Sequence, residues 1–251
     1  MKKTFTINEA PYSVHALLYD DGAAPYQSVV VCCHGFGGHK ENGAVKRFAD
    51  YMLAKHRGLA VVCFDWPCHG EDARRKLCLA DCDAYLGLVV DYAKEKLGAQ
   101  KLYLYATSFG GYLSLKYLAE HGMPFEKAAL RCPAVPMREV LERSIMTEEN
   151  RALLAKGKDA LVGFDRKIKV SADFLRELRE TDITKYSYLE LADKLLILHG
   201  TKDEIVPFAA VRDFAEENLI EFVPVENADH RFMDPGKMSK AIQRIEKFFA
   251  L

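Results

Sequence analysis

One serine lies among small residues at the junction between two secondary-structure patterns. Ser108 is the centre of Ala106-Thr-Ser-Phe-Gly110, which follows the apolar run 101–106 and precedes a helical pattern that ends near Gly122. An abrupt turn from strand to helix holds its central residue in a strained, left-handed backbone conformation with the side chain above the sheet. The segment therefore predicts a nucleophilic hydroxyl, with a structural turn around an idle serine as the alternative.

A serine hydroxyl becomes a useful nucleophile only when a general base accepts its proton. The chain has 8 histidines, and one of them follows the last predicted strand. His230 stands in Asn227-Ala-Asp-His-Arg231, on a loop that can reach Ser108 above the sheet. We therefore predict His230 as the base.

The base in turn needs an acid that orients its ring. Asp203 comes just after the penultimate predicted strand, so it lies at the same edge of the sheet as Ser108 and His230. We predict Asp203 as this acid. Glu204 and Asp229 are alternative acids, and Asp203 also has an alternative role as a helix cap.

Strand and helix patterns alternate along most of the chain. Two short β patterns cover 4–7 and 13–19, and apolar strand patterns follow at 27–33, 59–64, 101–106, 128–132, 194–198 and 221–225. The helical patterns cover 42–56, 83–97, 109–122, 208–218 and 235–249. Buried strands separated by helices predict an α/β fold with a mostly parallel, twisted, eight-stranded sheet and helices on both faces. The two opening strands are expected to pair as an antiparallel edge.

One interval interrupts this alternation. Residues 134–185, between the sixth and seventh strands, are rich in charge but contain recurring apolar pairs such as Leu153/Leu154. A segment of about 50 residues is too long for an ordinary loop, and insertions at this edge of a parallel sheet lie over the ligand crevice. We predict a single domain, 1–251, that carries an inserted lid subdomain at 134–185.

Composition excludes several classes of protein. The 251 residues are 49% hydrophobic and 28% charged, with a formal net charge of −1. The hydrophobic share is sufficient for a globular core, and the near-neutral charge gives no reason to expect a nucleic acid or an anionic membrane as a partner. The start at Met1 lacks the apolar region of a signal peptide, and we expect a cytoplasmic protein.

The cysteines are odd in number, 7 in all, and form no paired metal-binding motif. Cys78 and Cys82 are separated by a spacing that would suit a metal, but no nearby Cys/His pair completes a site. We therefore expect reduced, structural thiols, and neither a metal nor an organic cofactor.

The order of Ser108, Asp203 and His230, each after a successive strand, resembles that of the α/β-hydrolase superfamily of serine hydrolases. The resemblance covers nearly the whole chain. It also includes three loop segments: His34-Gly-Phe-Gly-Gly38, Phe64-Asp-Trp-Pro-Cys-His-Gly70 and His199-Gly-Thr-Lys-Asp-Glu-Ile-Val-Pro207. It implies an oxyanion hole made by the backbone N–H groups of Phe36 and Phe109, the latter at the start of a helix whose dipole favours negative charge.

Within that superfamily, the His-Gly-Phe loop, the length and the insertion are similar to those of bacterial cinnamoyl/feruloyl esterases and of serine aminopeptidase-like hydrolases. The resemblance implies a serine carboxylesterase acting on small or aromatic acyl esters through an acyl-enzyme. The alternatives are a peptidase or amidase, a thioesterase or lipid-directed acyl hydrolase, and a non-catalytic binding protein. The chain departs from the cinnamoyl esterase pattern at two positions, with Phe109 where Gln is common and Ala106 where Gly is common.

The remaining assignments concern the substrate. His34, Gly35 and Trp66 are candidate substrate-binding residues because they follow strands at the crevice edge, although His34 and His69 also have a structural interpretation as partners of loop backbone. Five aromatic residues are either walls of an acyl pocket or plain core: Phe36, Trp66, Phe109, Phe164 and Tyr188. The expected partner is a small-molecule ester, and the sequence leaves a homodimer open.

Overall fold

The computed structural model describes residues 1–22, 24–72, 74 and 76–251. The strands within these ranges are β1 (Lys2–Glu9), β2 (Tyr12–Asp20), β3 (Ser28–Cys33), β4 (Leu59–Phe64), β5 (Lys101–Thr107), β6 (Lys127–Arg131), β7 (Ala160–Val162), β8 (Ile168–Val170), β9 (Leu195–Gly200) and β10 (Glu221–Val225). The α-helices are α1 (Gly43–Lys55), α2 (Leu79–Glu95), α3 (Phe109–His121), α4 (Met137–Val140), α5 (Glu148–Ala155), α6 (Ala172–Glu180), α7 (Phe208–Glu217) and α8 (Pro235–Phe249).

Eight of the strands form one sheet in the order β1-β2-β4-β3-β5-β6-β9-β10. β2 pairs antiparallel with both β1 and β4, and every other neighbouring pair is parallel. The prediction of a mostly parallel, eight-stranded sheet with an antiparallel N-terminal edge is therefore confirmed.

Alternate side chains of the central strand β3 pack on opposite faces of this sheet. Val29, Val31 and Cys33 belong to one apolar cluster, which includes α2 and α3. Val30 and Cys32 belong to a second cluster, which includes α1 and α8. Because successive side chains of a strand point to opposite faces, helices cover both faces of the sheet, as predicted.

Helix α2 begins earlier than the sequence predicts, at Leu79 instead of near Asp83. The side chain of Cys78 makes no capping hydrogen bond. Instead, the N–H of Leu79 donates to the carboxylate of Glu177 in α6, at 2.8 Å. A distant residue satisfies the start of this helix, so the local sequence carries no signal for it.

The segment between β6 and β9 is folded against the rest of the core. It contains α4, a π-helical turn (Leu141–Ile145), α5, an antiparallel β7–β8 pair and α6. Val140, Phe174 and Leu178 lie in the same apolar cluster as Phe109 and Tyr112 of α3. The segment therefore packs directly on the helix that follows Ser108. Its role as a lid stays a prediction.

The seven cysteines are all free thiols, and five of them are buried. Among the residues that the structure describes, no helix combines the length and the apolar composition that crossing a membrane requires.

Candidate active site

Ser108 occupies the turn between β5 and α3 with φ 52° and ψ −118°. A positive φ is costly for a residue with a Cβ, and it persists where surrounding contacts impose it. Here the Ser108 N–H donates to the Arg131 carbonyl at 3.1 Å, and the Ser108 carbonyl accepts from Ala134 N–H at 3.0 Å. The two ends of this residue are thus fixed by the adjacent strand β6 and the residues after it.

Two glycines let this turn approach the loop that follows β3. A Cβ added to Gly110 would lie 2.6 Å from the carbonyl oxygens of both Cys33 and His34. A Cβ added to Gly35 would lie 3.1 Å from the Cβ of Ser108. Helix α3 and this loop therefore meet backbone to backbone beside the serine.

The structure brings Ser108, His230 and Asp203 together as one hydrogen-bonded series. His230 Nε2 lies 3.0 Å from Ser108 Oγ, and His230 Nδ1 lies 2.7 Å from Asp203 Oδ2. The carboxylate can only accept from Nδ1, so Nε2 is left free to accept the proton of the serine hydroxyl. Both distances lie within the range that proton transfer needs.

The Asp203 carboxyl is buried but well supplied with donors. Its Oδ1 accepts from the N–H groups of Ile205 and Val206, at 2.9 and 2.8 Å. Burial by itself raises the pKa of Asp203, but the hydrogen bond and charge of His230 and the Val206 N–H outweigh burial, and the pKa lies below its usual value. Asp203 is therefore a carboxylate at neutral pH.

A second histidine faces the same carboxylate oxygen. His199 Nε2 lies 3.3 Å from Asp203 Oδ2 and 3.1 Å from the Val206 carbonyl. Burial is the main cause that lowers the pKa of His199, so its ring is neutral at pH 7 and carries one N–H. That N–H lies at Nε2 and donates to the Val206 carbonyl, so the neutral ring packs beside the Asp203 carboxylate.

The two alternative acids are placed elsewhere. Glu204 accepts from the backbone N–H of His230 at 3.2 Å, and Asp229 accepts from the backbone N–H of Met233 at 3.1 Å. Among the hydrogen bonds of the described residues, neither carboxylate bonds to the imidazole of His230, so the geometry favours Asp203 as the orienting acid.

Arg131, the last residue of β6, was not among the site residues predicted from the sequence. Its side chain is buried, and its Nη1 donates to the His230 carbonyl at 2.7 Å. Its Nε donates to Tyr105 Oη at 3.2 Å, and its guanidinium lies 5.0 Å from the ring centroid of Phe232. Arg131 thus fixes the loop that carries His230. A charged residue inside the apolar run 128–132 was the signal that could have identified it.

Two backbone donors lie next to the serine, at Phe36 and Phe109. Among the hydrogen bonds between described residues, none uses either N–H group. Phe109 is the first residue of α3, where an N–H has no partner within the helix. Their side chains meet edge to face, with ring centroids 5.6 Å apart. Both N–H groups are therefore available to an oxyanion.

His34 shapes the loop that presents Phe36. Its Nδ1–H donates to the Gly35 carbonyl at 2.8 Å, and its Nε2 accepts from the Trp66 N–H at 3.3 Å. Burial, with the neighbouring His69, lowers the pKa of His34 to about 3, so the ring is neutral. With both ring nitrogens engaged by backbone, His34 holds this loop in place.

Trp66 lies beneath this loop and not on the wall of a cavity. The side chain is fully buried, and its indole N–H donates to the His34 carbonyl at 2.9 Å. Burial leaves no surface of Trp66 for a substrate to contact. Of the three candidate substrate-binding residues, His34 and Gly35 line the cavity that includes Ser108, and Trp66 does not.

Two cavities meet at Ser108 and His230. We call the first the cationic cavity; it measures about 430 Å³, and its wall includes Arg131, Arg166 and Arg231. We call the second the apolar cavity; it measures about 310 Å³, and its wall includes Phe36, Ile145, Phe164 and Ile205, together with Glu204 and Arg231. Ile145 and Phe164 belong to the insertion.

Of the five aromatic residues singled out from the sequence, Phe36 and Phe164 line the apolar cavity, and Trp66, Phe109 and Tyr188 are buried in the core.

Two groups of potential metal ligands lie within the described residues. The first is Cys132, Asp203 and His230, and the second is Asp83, Glu120 and His121. In the first group, Asp203 and His230 are already hydrogen-bonded to each other. In the second, the ammonium group of Lys116 pairs with both Asp83 and Glu120 and supplies the positive charge. Neither arrangement favours a metal.

A comparison with known protein families identifies the class of protein. The family model described as the alpha/beta hydrolase fold matches residues 28–158, more than half of the chain. The chain therefore belongs to the α/β-hydrolase fold family. No curated protein sequence gives a significant match.

Solved structures show the same fold over the full length. Est1E from Butyrivibrio proteoclasticus, with ferulic acid bound, has a TM-score of 0.77 at 20% identity, covering 98% of this chain and 100% of that one. An esterase from Pyrococcus furiosus has a TM-score of 0.71 at 15% identity, with coverages of 100% and 92%. A serine hydrolase from Xanthomonas campestris, described as having no lid, has a TM-score of 0.66 at 17% identity, with coverages of 99% and 94%. At these identities the likeness shows the fold alone.

Proposed function

We propose that this protein is a serine carboxylesterase that hydrolyses small or aromatic acyl esters through an acyl-enzyme. The observation that carries the proposal is the series Ser108 Oγ, His230 Nε2, His230 Nδ1 and Asp203 Oδ2, with contacts of 3.0 and 2.7 Å. Membership of the α/β-hydrolase fold family supports a hydrolase.

In the first half-reaction, Ser108 Oγ attacks the ester carbonyl carbon while His230 Nε2 accepts the hydroxyl proton. Asp203 remains ionised and stabilises the imidazolium. The carbonyl oxygen becomes an oxyanion and accepts hydrogen bonds from the N–H groups of Phe36 and Phe109. The C–O bond to the alcohol then breaks, and His230 gives its proton to the departing alcohol, which leaves the acyl group on Ser108.

In the second half-reaction, a water molecule takes the place of the alcohol. His230 accepts a proton from this water, and the resulting hydroxide attacks the acyl-enzyme carbonyl. The second tetrahedral intermediate collapses, His230 returns the proton to Ser108 Oγ, and the carboxylic acid is released. These steps use only groups of this chain and water.

The apolar cavity supports the acyl preference. Phe36 and Phe164 contribute aromatic surface next to Ser108. Because Phe164 and Ile145 come from residues 134–185, we infer that this insertion acts as a lid that forms part of the substrate pocket. Est1E, which binds ferulic acid, has the same fold and is consistent with this preference.

The test compares hydrolysis of 4-nitrophenyl acetate by the wild type, by Ser108→Ala and by Ser187→Ala. Ser187 is exposed and lies far from Ser108 in the sequence, and it serves as the matched control. We expect the wild type and the control to release nitrophenolate at equal rates, and Ser108→Ala to be slower by about 10⁴-fold or more in kcat. Equal rates for wild type and Ser108→Ala would contradict the proposal.

A second panel then separates the alternatives. Methyl ferulate, an aminoacyl arylamide and an acyl-CoA represent carboxylesterase, peptidase and thioesterase activity. We expect the highest kcat/KM with the ester. A higher value with the arylamide or the thioester would reassign the substrate class while leaving the nucleophile in place.

A further inference from the structure

The cationic cavity concentrates positive charge on one side of Ser108. Its wall includes Arg131, Arg166 and Arg231, and a single acidic residue, Asp165. The chain as a whole has a formal net charge of −1, so this concentration is local.

Two of these cations, Arg166 and Arg231, are poorly neutralised by the protein itself, whereas the negative charge of Asp203 acts on Arg131. The Arg131 side chain is 6% exposed, and its hydrogen bonds go to the His230 carbonyl and the Tyr105 hydroxyl. Among the described residues, no carboxylate lies within ion-pair distance of Arg131 or Arg166. Arg231 has one carboxylate nearby, Asp165, at 3.7 Å. The Asp165 side chain is 90% exposed, so this pair is weak.

The positive charge of Arg166 also affects the pKa of a neighbouring histidine, His39. His39 also lines the cationic cavity. Burial lowers its pKa, and the charge of Arg166 lowers it further. A neutral His39 leaves the three arginines and Asp165 as the charged residues of this wall.

The apolar cavity beside Ser108 has a different character, because four of the residues in its wall have apolar side chains. An ester bound at Ser108 extends to both sides of its carbonyl carbon. Its two parts therefore meet different surroundings, one lined mostly by apolar side chains and the other including Arg131 and Arg166, with Arg231 bordering both cavities.

We propose that the substrate is an ester with an anionic group, a carboxylate or a phosphate, on the part that enters the cationic cavity. Arg166 and Arg231 bind this group, since the guanidinium fork matches the oxygens of both anions. Arg131 adds a buried positive charge next to the His230 carbonyl, to which it is hydrogen-bonded. The inference rests on the proposed esterase function and specifies its substrate class.

The test uses two matched pairs of substrates, each with one anionic and one neutral member. The first pair is 3-carboxy-4-nitrophenyl acetate and its methyl ester, which places the charge on the alcohol part. The second is the monoanion of 4-nitrophenyl adipate and its methyl ester, which places the charge on the acyl part. We expect a higher kcat/KM for the anionic member of at least one pair, with a preference that falls as salt is added.

The variant is Arg166→Gln, and the matched control is Lys169→Gln. Lys169 lies three positions away in β8 and pairs with Asp159 outside the cavity, so both variants lose one positive charge. We expect Arg166→Gln to lower the ratio of anionic to neutral kcat/KM by about five- to tenfold, and Lys169→Gln to leave the ratio unchanged. Taking the ratio cancels any effect that the two substrates share.

A binding measurement separates this inference from the proposed function. Calorimetry measures the binding of 5-hydroxy-2-nitrobenzoate, of adipate and, separately, of inorganic phosphate to the wild type and to Arg166→Gln. If neither ester of a pair is hydrolysed but one of these anions binds the wild type more tightly than the variant, the esterase proposal fails and the anion site stands. If no pair shows an anionic preference and Arg166→Gln changes neither the ratio nor the binding of any of these anions, the inference is overturned.

Discussion

Gly200, the last residue of β9, lies directly against the main-chain carbonyl of Ala228. A Cβ added at Gly200 would come within 2.3 Å of the Ala228 oxygen, and Lys202 N–H donates to the same oxygen at 3.0 Å. This contact holds the turn that carries Asp203 against the loop that carries His230. The 2.7 Å hydrogen bond between the two side chains therefore depends on a backbone position without a side chain.

Gly200→Ala is expected to push these two segments apart. The added methyl group cannot be accommodated because it meets backbone, so we expect kcat to fall by about tenfold or more and the protein to be destabilised by about 1–3 kcal/mol. The measurements are kcat with 4-nitrophenyl acetate and urea unfolding. The matched control is Gly87→Ala in α2, where the added Cβ finds only ordinary contacts and helix propensity predicts stabilisation of up to about 1 kcal/mol. An unchanged kcat for Gly200→Ala would contradict the role of this contact.

Asp203→Asn tests the orienting acid. The amide oxygen of this variant can still accept from Ile205 and Val206, so the fold should be kept while the ring of His230 loses its charged partner. We expect kcat to fall by about 10⁴-fold with little change in KM. Asp229→Asn, in the same loop as His230, is the control and should retain near-wild-type kcat. A kcat for Asp203→Asn as high as that of the control would remove Asp203 from this role.

The pH dependence of kcat/KM in the wild type follows from the pair of Asp203 and His230. Because the pKa of Asp203 lies below its usual value, this group stays ionised above about pH 5 and contributes no step there. A histidine base must be unprotonated to accept the serine proton, so kcat/KM should rise with pH along a single-proton curve. A kcat/KM that does not rise with pH would contradict a histidine as the base.

Asp65 and Lys40 form a buried ion pair that fixes the loops around His34. Asp65 accepts from the N–H and the Nζ of Lys40, at 2.7 and 2.8 Å, and from the N–H of Glu71 at 3.0 Å. Burial raises the pKa of Asp65, but Lys40 and the backbone donors outweigh it, so the folded-state pKa is lowered. The stabilisation is therefore present above the unfolded-state pKa of about 3.9 and is lost as the pH falls through the folded-state value.

Asp65→Asn should accordingly lower the free energy of unfolding by about 3 kcal/mol at pH 7, because the buried Lys40 keeps only its exposed partner, Glu71. The difference from wild type should shrink as the pH falls below about 4. Urea unfolding at a series of pH values measures it, with Asp50→Asn, in an exposed pair with Lys46, as the control. If the difference in the free energy of unfolding between wild type and Asp65→Asn does not change with pH, the charge of Asp65 is not the source of the stabilisation.

Phe164 tests the contribution of the insertion to substrate binding. Phe164 lines the apolar cavity, whereas Leu161, in the same insertion, is 61% exposed. Phe164→Ala should raise KM for methyl ferulate about fivefold through lost apolar contact, and Leu161→Ala should leave it unchanged. Equal KM values for wild type and Phe164→Ala would contradict the lid role.

The order of strands and helices was predictable because continuous apolar runs mark buried strands, and apolar residues at helical spacing mark amphipathic helices. The bounds of β10 (Glu221–Val225) and α8 (Pro235–Phe249) coincide with the predicted ones. The positions of Ser108, Asp203 and His230 after successive strands also indicated that they would meet, because parallel strands end at the same edge of a sheet. Their catalytic roles stay predictions.

Contacts between distant residues were not predictable in this way. The start of α2 depends on Glu177, and the two three-residue strands of the insertion are too short to show a period. Trp66 and Phe164 are both aromatic residues in loops, and only packing shows that one is buried and the other lines a cavity. The hydrogen bond from Arg131 to the His230 carbonyl joins positions 99 residues apart.

Labelling with a fluorophosphonate, followed by mass spectrometry of the digested protein, tests the central claim most directly. A serine activated by His230 and Asp203 should form one covalent adduct, located on Ser108. The adduct should be absent from Ser108→Ala and strongly reduced in Asp203→Asn. A folded wild-type protein that stays unlabelled, or that is labelled at another residue, would contradict the assignment of Ser108 as the nucleophile.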